Sequence, residues 1–282
     1  MKIIGSVKEL REAVKAEKRA GKSVGFVPTM GFLHDGHLSL VRAAKSDNEL
    51  VVASIFVNPT QFGENEDLDA YPSDLEGDQT KLESEGVDIL FYPTVDEMYP
   101  EGYSTYVNVE GDMTGILCGT SRPGHFKGVA TVVTKLFNMV APDKAYFGQK
   151  DAQQVAVIER MVRDLNMDLE IVPCPIHREA DGLAMSSRNT YLSESERKDA
   201  LVLSASLFEA KDKILAGEKK SANIIAGIVD KISSVDYAII DYVEIVDALT
   251  LNRIETIEGD ILIALAVKVG KPRLIDNLRL EV

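Results

Sequence analysis

The chain has 282 residues, 45% of them hydrophobic and 27% charged, a balance typical of a globular protein with domains of roughly 150 residues. Its net charge of −14 argues against a large nucleic-acid partner, because such proteins neutralise phosphates with basic side chains. No apolar run approaches the ~20 residues of a membrane helix, and the N-terminal MKIIGSVKEL lacks the apolar stretch of a signal peptide, so we expect a cytoplasmic protein without a membrane partner.

Strand-like and helix-like stretches alternate along residues 1–174. A short N-terminal strand runs into a polar helix. Further strands are predicted at 24–28, 50–57, 87–92, 144–147 and 169–172, with helices from about 37 to 45 and at 73–85, 126–140 and 152–165. This alternation predicts an α/β fold, in which a Rossmann-like, doubly wound parallel sheet carries helices on both faces.

The pattern changes after residue 174. Ser193 and Glu196 have the spacing of a capping box, which begins a helix that runs to about residue 216. A second helix is predicted at 221–233, and strands at 237–246, 261–269 and 273–280. Because strands and helices no longer alternate, we predict a larger domain over residues 1–174 and a smaller α+β domain over residues 175–282.

The strongest functional signal is Pro28-Thr-Met-Gly-Phe-Leu-His-Asp-Gly-His37, which lies where the first buried strand ends and a helix begins. Ligands bind at this edge of an open α/β sheet, and a helix N-terminus presents free N–H groups to phosphates. His34 and His37 are three residues apart, so both can face one side of the first turn and donate hydrogen bonds to phosphate oxygens. The alternative is a turn with two solvent-exposed histidines.

Three further segments place polar side chains at the ends of predicted strands or helices. In Asn58-Pro-Thr-Gln-Phe62, the Gln61 amide can donate and accept, which suits a hydroxy acid, although the segment also fits an ordinary turn. In Ser121-Arg-Pro-Gly-His-Phe126, Arg122 can bind a carboxylate or pair with an acidic neighbour. In Tyr146-Phe-Gly-Gln-Lys-Asp151, Lys150 offers a charge to a phosphate, or the Lys-Asp pair is a solvated helix cap.

Met185-Ser-Ser-Arg-Asn189 lies at the predicted domain junction, after Ala180-Asp-Gly182. Its serines can donate hydrogen bonds to phosphates, and Arg188 supplies a charge that can follow a leaving pyrophosphate. A loop in this place can close over a nucleotide and exclude water. The alternative is a polar linker whose arginine is solvated.

The string His-Asp-Gly-His resembles the HIGH motif of the superfamily of nucleotidylyltransferases and class I aminoacyl-tRNA synthetases. The fuller strings PTMGFLHDGHLSL, NPTQF, SRPGHFKGV, FGQKDAQQ and READGLAMSSRN resemble the pantothenate synthetase family in order and spacing, over nearly the whole chain. The resemblance implies ATP-dependent joining of pantoate to β-alanine through a pantoyl-adenylate, with Mg²⁺ as cofactor and a homodimer formed through the N-terminal domain.

The resemblance also implies roles for individual residues. ATP-binding residues would be Met30, Gly31, Phe32, Leu33, His34, Asp35, Gly36, His37, Gly148, Gln149, Lys150, Asp151, His177 (through its main chain), Met185, Ser186, Ser187 and Arg188. Pantoate and β-alanine would contact Pro28, Thr29, Met30, Gln61 and Gln154. The catalytic set would be His34, His37, Lys150 and Arg188. Many family members have Glu in place of Gln149, which changes the local charge by one and leaves the Lys150 and Asp151 assignments intact.

Mg²⁺ is expected to bridge the ATP phosphates with few protein ligands. Asp78, four residues after Asp74 on one predicted helix, is a candidate ligand, and the alternative is a solvated acidic helix face. Neither Cys118 nor Cys174 has a suitable histidine partner in the sequence, so we expect no protein nucleophile.

Other functions stay open on the sequence alone. The first is a nucleotidylyltransferase that acts on a phosphorylated small substrate with the same helix start, although the NPTQF and GQKDAQQ segments favour the ligase. Binding or charging of tRNA is disfavoured by the acidic composition. A nucleotide sensor without activity is disfavoured because His34, His37, Lys150 and Arg188 are all present.

Overall fold

The computed structural model describes residues 1–63, 66 and 68–282, which form two compact units. The first unit comprises residues 1–109, 122–149 and 157–175, and the second comprises residues 110–121, 150–156 and 176–282. The chain passes from the first unit to the second after residue 175, next to the domain boundary predicted after residue 174. The segments 110–121 and 150–156, which the sequence pattern assigns to the N-terminal domain, belong to the second unit.

Strands and helices alternate along residues 1–175 as the hydrophobic pattern predicts. In chain order they are β1 (Lys2–Ile4), α1 (Val7–Arg19), β2 (Val24–Thr29), α2 (Asp35–Asp47), β3 (Leu50–Ile55), a 3-10 turn (Pro59–Gln61), α3 (Leu75–Ser84), β4 (Ile89–Phe91), α4 (Val95–Met98), α5 (Asp112–Gly115), α6 (Cys118–Ser121), α7 (His125–Val140), β5 (Lys144–Gly148), a 3-10 turn (Gln149–Asp151), α8 (Ala152–Asp164) and β6 (Glu170–Cys174).

The strands of the first unit form one parallel sheet in the order β1-β4-β3-β2-β5-β6. Every residue of β3 is buried, as are residues 24–27 of β2. Such continuous apolar burial is typical of central parallel strands that are covered on both faces. The predicted parallel sheet is therefore confirmed.

Helices cover both faces of this sheet. Val27 and Tyr146 belong to an apolar cluster that includes residues of α2 and α3. On α7, Phe137 packs edge-to-face against Phe26 and Phe147, with ring centroids 6.4 and 6.3 Å apart. Because successive residues of a strand point to opposite faces, the two groups of helices lie on opposite sides of the sheet. The fold of this unit is doubly wound, as expected.

The second unit is an α+β arrangement. Its main elements are a 3-10 turn (Ser187–Tyr191), α9 (Glu194–Leu215), α10 (Ser221–Ile232), β7 (Ala238–Asp247), β8 (Asp260–Val269) and β9 (Arg273–Glu281). The three strands form an antiparallel sheet in the order β7-β8-β9. The predicted capping box is present, because the Ser193 amide donates to Glu196 Oε2 at 2.7 Å and the Glu196 amide donates to Ser193 Oγ at 3.3 Å.

The two faces of β8 explain why segments 110–121 and 150–156 belong to the second unit. Ile263 and other odd-numbered residues of β8 pack into a core with α9 and α10. On the opposite face, Leu262 and Ala264 pack with Leu117 and Ala156. The short helices before α7 and the first turn of α8 therefore cover apolar surface that the three-stranded sheet would otherwise expose.

Candidate active site

The segment after β2 is fixed by its own backbone geometry. Gly31 and Phe32 both have left-handed conformations, with φ of +88° and +52°. A Cβ on Gly31 would lie 2.9 Å from Ile55 Cγ2 and 3.2 Å from Asp78 Oδ2, so a side chain has neither the conformation nor the space here. Thr29 Oγ1 donates to the Ser54 carbonyl at 2.8 Å, which ties the end of β2 to β3.

Asp78 connects this segment to α3. Its side chain is 1% exposed, and its two carboxylate oxygens accept hydrogen bonds from the Phe32 and Leu33 amides, each at 2.7 Å. Lys81 Nζ donates to the Leu33 carbonyl at 2.8 Å. The alternative of a solvated acidic helix face is wrong at Asp78, because this side chain is buried one turn after Asp74, which caps the helix. A buried carboxylate needs such partners to offset its lost hydration.

His34 and His37 lie together at the start of α2. His34 is the N-cap residue, and the helix begins at Asp35, two residues before the predicted start. The two imidazole rings are 4.0 Å apart between centroids, which confirms that they face the same side. The His34 amide is 3.3 Å from His37 Nδ1 and donates to it. Since Nδ1 accepts, the proton of a neutral His37 is on Nε2, where it can be donated to a phosphate.

Gln61 meets the segment after β2 at the sheet edge. It ends the 3-10 turn after β3, is 9% exposed, and has its Nε2 atom 3.1 Å from Met30 Sδ. Asn58 Nδ2 donates to Gln61 Oε1 at 3.1 Å, which sets the orientation of the Gln61 amide. The structure thus brings two predicted pantoate-binding residues, Met30 and Gln61, into contact, while Pro28 and Thr29 end the adjacent strand.

The sequence did not reveal the residues that support Gln61. Asn58 is 1% exposed, and its Oδ1 accepts a hydrogen bond from the Tyr99 hydroxyl at 2.8 Å. Burial raises the pKa of the Tyr99 hydroxyl, which therefore stays a donor at neutral pH. Asn58 opens the NPTQF string and could have been found there. Tyr99 is 41 residues away, and no sequence pattern connects it to that string.

Arg122 and His125 lie beside Gln61. Arg122 forms two hydrogen bonds of 2.6 Å with the two carboxylate oxygens of Glu66, so the paired alternative for Arg122 holds in this structure. Burial alone would raise the pKa of the Glu66 carboxyl, but hydrogen bonds and attraction from Arg122 outweigh it and lower that pKa. His125 Nδ1 is 2.9 Å from the Gln61 carbonyl, and its Nε2 is 3.0 Å from Arg122 Nη1. A neutral His125 that is protonated on Nδ1 satisfies both contacts.

A close helix contact supports the same turn from α7. A Cβ on Gly128 would clash with the Thr60 carbonyl oxygen and would lie 2.6 Å from Gln61 Cα. Glycine at this place lets the helix backbone approach the turn that carries Gln61. Position 128 falls within the SRPGHFKGV string, so the motif combines polar contacts with a packing requirement.

Lys150, Asp151 and Gln154 follow β5 in the second unit. Lys150 Nζ is 4.0 Å from Asp151 Oδ2, and the two side chains are 22% and 48% exposed. Gln154 is half-buried on α8. Its neighbour Gln153 is buried, where it accepts from the Cys118 amide at 2.9 Å and donates to the Met113 and Ile116 carbonyls. Gln153 thus connects α8 to the short helices of this unit. Gly148 and Gln149, which precede Lys150, close β5 and begin the 3-10 turn.

The loop that carries Met185, Ser186, Ser187 and Arg188 is fixed by its own hydrogen bonds. The Met185 amide donates to the His177 carbonyl at 3.0 Å, which connects the two ends of the segment 177–185. Ser186 caps the following 3-10 turn, with its Oγ accepting from the Arg188 amide at 3.3 Å. The Asn189 side chain donates to Glu179 Oε1 at 2.7 Å and to the Ala184 carbonyl at 3.1 Å. The segment is therefore a structured loop rather than a polar linker.

The predicted site residues thus fall into two groups, one in each unit. Residues 28–37 and Gln61, with Gly148 and Gln149, lie in the first unit; Lys150, Asp151, Gln154, His177 and residues 185–188 lie in the second. Within residues 1–63, 66 and 68–282, no group of three or more His, Cys, Asp or Glu side chains has the arrangement of a metal site.

Comparison with known proteins agrees with this geometry. Residues 2–279 match the family model described as pantoate-beta-alanine ligase. The chain is 58% identical over 282 residues to the pantothenate synthetase of Acetivibrio thermocellus, with both chains covered completely. It is also 58% identical over 282 residues to the pantothenate synthetase of Caldicellulosiruptor saccharolyticus, again with full coverage.

Solved structures show the same similarity. The pantothenate synthetase of Thermus thermophilus superposes with a TM-score of 0.94 at 47% identity, covering 99% of each chain. The pantoate-beta-alanine ligase of Francisella tularensis, solved in complex with beta-gamma ATP and beta-alanine, has a TM-score of 0.80 at 35% identity, covering 99% of this chain and 97% of that one. From its fold, the motifs in their places and a family match over nearly its whole length, this chain belongs to the pantoate-beta-alanine ligase family.

Proposed function

We propose that this chain uses ATP to join pantoate to β-alanine, and that residues 28–37 and Gln61 form the acid-activating part of its site. The observation that carries the assignment of residues is the contact between Gln61 and Met30. It places an amide that suits a hydroxy acid next to the segment that leads to His34 and His37. The activity itself follows from membership of the ligase family.

The reaction needs two displacements and no protein nucleophile. A carboxylate oxygen of pantoate attacks the α-phosphorus of ATP, and the bond from that phosphorus to the bridging oxygen breaks to release pyrophosphate. The amine of β-alanine, after losing a proton, attacks the carbonyl carbon of the pantoyl-adenylate. The bond to the AMP oxygen then breaks, giving the amide and AMP. Both cysteines, Cys118 and Cys174, are buried, which fits a reaction without a thiol nucleophile.

In the first unit, the start of α2 would bind the nucleotide phosphates. His37 Nε2 and the His34 side chain would donate to phosphate oxygens, and the positive end of the α2 dipole would add to them. The ATP-binding segment is residues 30–37. Pantoate would contact Pro28, Thr29, Met30 and Gln61, and the buried position of Gln61 leaves little room for competing water.

In the second unit, Lys150 and Arg188 would balance the charge of the polyphosphate. Ser186 and Ser187 would add hydrogen bonds from the loop, and Gln154 would contact pantoate. Gly148, Gln149, Asp151, His177 and Met185 would complete the nucleotide contacts. Preorganised cations and donors of this kind stabilise the charge of a leaving pyrophosphate without reorganising during the reaction.

Magnesium enters this scheme with the nucleotide. The described ranges contain no cluster of ligands for a resident metal ion, and the Asp78 carboxylate already accepts two backbone hydrogen bonds. We propose that Mg²⁺ would enter as the ATP complex and would supply charge neutralisation on the phosphates, as Mg²⁺ commonly does in nucleotide sites. In this scheme the Asp78 carboxylate fixes the loop before α2 and does not bind the metal ion.

The cellular setting and the assembly remain predictions. Each helix in the described part of the chain is too short or too polar to span a lipid bilayer. We expect a cytoplasmic enzyme that forms a homodimer through the N-terminal domain and uses small molecules as its partners.

The proposed reaction predicts acid-dependent isotope exchange. Adenylation is reversible while the acyl-adenylate stays bound, so labelled pyrophosphate should enter ATP when pantoate is present and β-alanine is absent. Adding β-alanine should drain the intermediate and suppress the exchange. An exchange that depended on β-alanine would contradict a separate adenylate, and exchange with a phosphorylated substrate in place of pantoate would favour the nucleotidylyltransferase.

Substitutions at Gln61 and His37 should separate acid binding from phosphate chemistry. Gln61→Ala should weaken the use of pantoate by about 1–3 kcal/mol, because the acid would lose a buried hydrogen-bond partner. Gln61→Glu, of nearly the same shape, should be worse because a second carboxylate repels the acid. His37→Ala should instead lower the adenylation rate at saturating pantoate and ATP by roughly 10²–10³-fold.

These roles are read from rates and Michaelis constants for each substrate. If His37→Ala raised only the constant for pantoate while the Gln61 variants lost only ATP binding, the two halves of the site would be assigned the wrong way round. If Gln61→Glu had the same Michaelis constant for pantoate as wild type, Gln61 would not be part of the acid pocket.

Asp78→Asn should separate a loop-fixing role from a metal-binding role. The amide nitrogen cannot accept a hydrogen bond, so one of the Phe32 and Leu33 amides loses its partner, at a cost of about 1–3 kcal/mol. Adenylation should fall by a factor that does not change between low and high Mg²⁺. Asp74→Asn is the matched control, because it removes the same charge from the same helix and asparagine caps equally well. Recovery of the Asp78→Asn rate by added Mg²⁺ would instead make Asp78 a metal ligand.

A further inference from the structure

Two adjacent polar residues are buried in the middle of β9. Asp276 is 2% exposed and Asn277 is 5% exposed. Successive residues of a strand point to opposite faces, so this pair can contact two different parts of the second unit. Neither residue has a part in the reaction scheme above, and buried polar groups in a small sheet are costly unless their partners are specific.

Asp276 fixes the base of the loop that leads to Arg188. Arg178 donates to both carboxylate oxygens of Asp276, from Nη1 at 2.7 Å and from Nη2 at 3.0 Å. The same Nη1 donates to the Gly182 carbonyl at 3.1 Å. Arg178 also pairs with Ala184 in an antiparallel bridge, immediately before Met185. The bidentate ion pair therefore sets where the chain enters residues 185–188.

Asn277 fixes the main chain at Lys150. Its Nδ2 atom donates to the Lys150 carbonyl at 2.9 Å, across 127 positions of sequence. The backbone amide of Asn277 donates to Asp276 Oδ1 at 2.8 Å, which holds the Asp276 carboxylate against the main chain of Asn277. One dipeptide thus makes direct contacts to the backbone that carries Lys150 and to the base of the loop that carries Arg188.

We propose that Asp276 and Asn277 are positioning residues for adenylation, which hold Lys150 and the 185–188 loop in one arrangement so that their cations act on the same polyphosphate. This inference rests on the proposed function. Its physical basis is that charge stabilisation requires donors fixed before the reaction, and a displacement of about 1 Å can cost roughly 10²-fold in rate. A rigid strand supports such donors better than loops that support one another.

The role predicts a difference between the two half-reactions. Adenylation uses the cations on the polyphosphate, whereas amide formation from pantoyl-adenylate occurs after pyrophosphate has left. Asn277→Ala and Arg178→Lys should slow adenylation by about 10–100-fold. With synthetic pantoyl-adenylate and β-alanine supplied, the same variants should form the amide within about twofold of wild type. A purely structural role would reduce the active fraction and lower both half-reactions equally.

Arg273→Lys is the matched control. Arg273 begins β9 and forms an ion pair with Asp241 at 2.7 Å. Its guanidinium also lies over the Tyr242 ring and 3.6 Å from Cys118 Sγ, so its partners are neither Arg178 nor Lys150. The substitution should lower the unfolding temperature much as Arg178→Lys does, yet leave adenylation within about twofold of wild type. Removal of the Asp276 carboxylate is avoided, because an unpaired Arg178 in a buried setting is strongly destabilising.

A double-mutant cycle completes the experiment. If Asn277 acts through Lys150, adding Asn277→Ala to the Lys150→Ala variant should lower the adenylation rate by less than about twofold. Equal losses in both half-reactions, a full additive loss in the Lys150→Ala background, or normal adenylation by folded Asn277→Ala would overturn the inference. Absence of pantoate-dependent exchange in the wild-type chain would instead overturn the proposed function itself, so the two failures are distinguishable.

Discussion

The site of the first unit depends on the parallel pairing of β2 with β3. The two strands run in register from the pair Val24 and Leu50 to the pair Thr29 and Ile55, so both end at one edge of the sheet. The residues that follow β2 and the residues that follow β3 therefore begin next to each other at this edge. This constraint brings Gln61 to Met30, and it gives the segment between β2 and α2 a fixed place from which His34 and His37 extend.

Two buried carboxylates fix the conformations of loops. One acts at this edge of the sheet, and the other acts in the second unit. Asp78 accepts from two consecutive amides of the loop before α2, and Asp276 accepts from both terminal guanidinium nitrogens of Arg178. A buried carboxylate is costly unless all its partners are in place, so each one stabilises a single loop conformation and disfavours others. The buried charges of this acidic protein therefore determine the positions of loops in the site as well as its stability.

Much of the fold and part of the site could be predicted from the sequence, because those features have local patterns. Strand–helix alternation, the capping box at Ser193 and the proximity of His34 to His37 all depend on residues within a few positions of one another. The contacts of Asp78 with Phe32 and of Asn58 with Tyr99 could not be predicted, because they join residues 46 and 41 positions apart. The Asn277–Lys150 contact spans 127 positions, and the same limit applies to it.

If the sheet edge directs an acid carboxylate to the α-phosphorus of ATP, the two carboxylate oxygens must separate into different products. Pantoate carrying a heavy-oxygen label in both carboxylate positions should be converted with β-alanine and ATP, and the products analysed by mass spectrometry. We expect one labelled oxygen in AMP and the other in the amide carbonyl of the product. Unlabelled AMP, or label in inorganic phosphate or pyrophosphate, would show that the carboxylate does not attack the α-phosphorus.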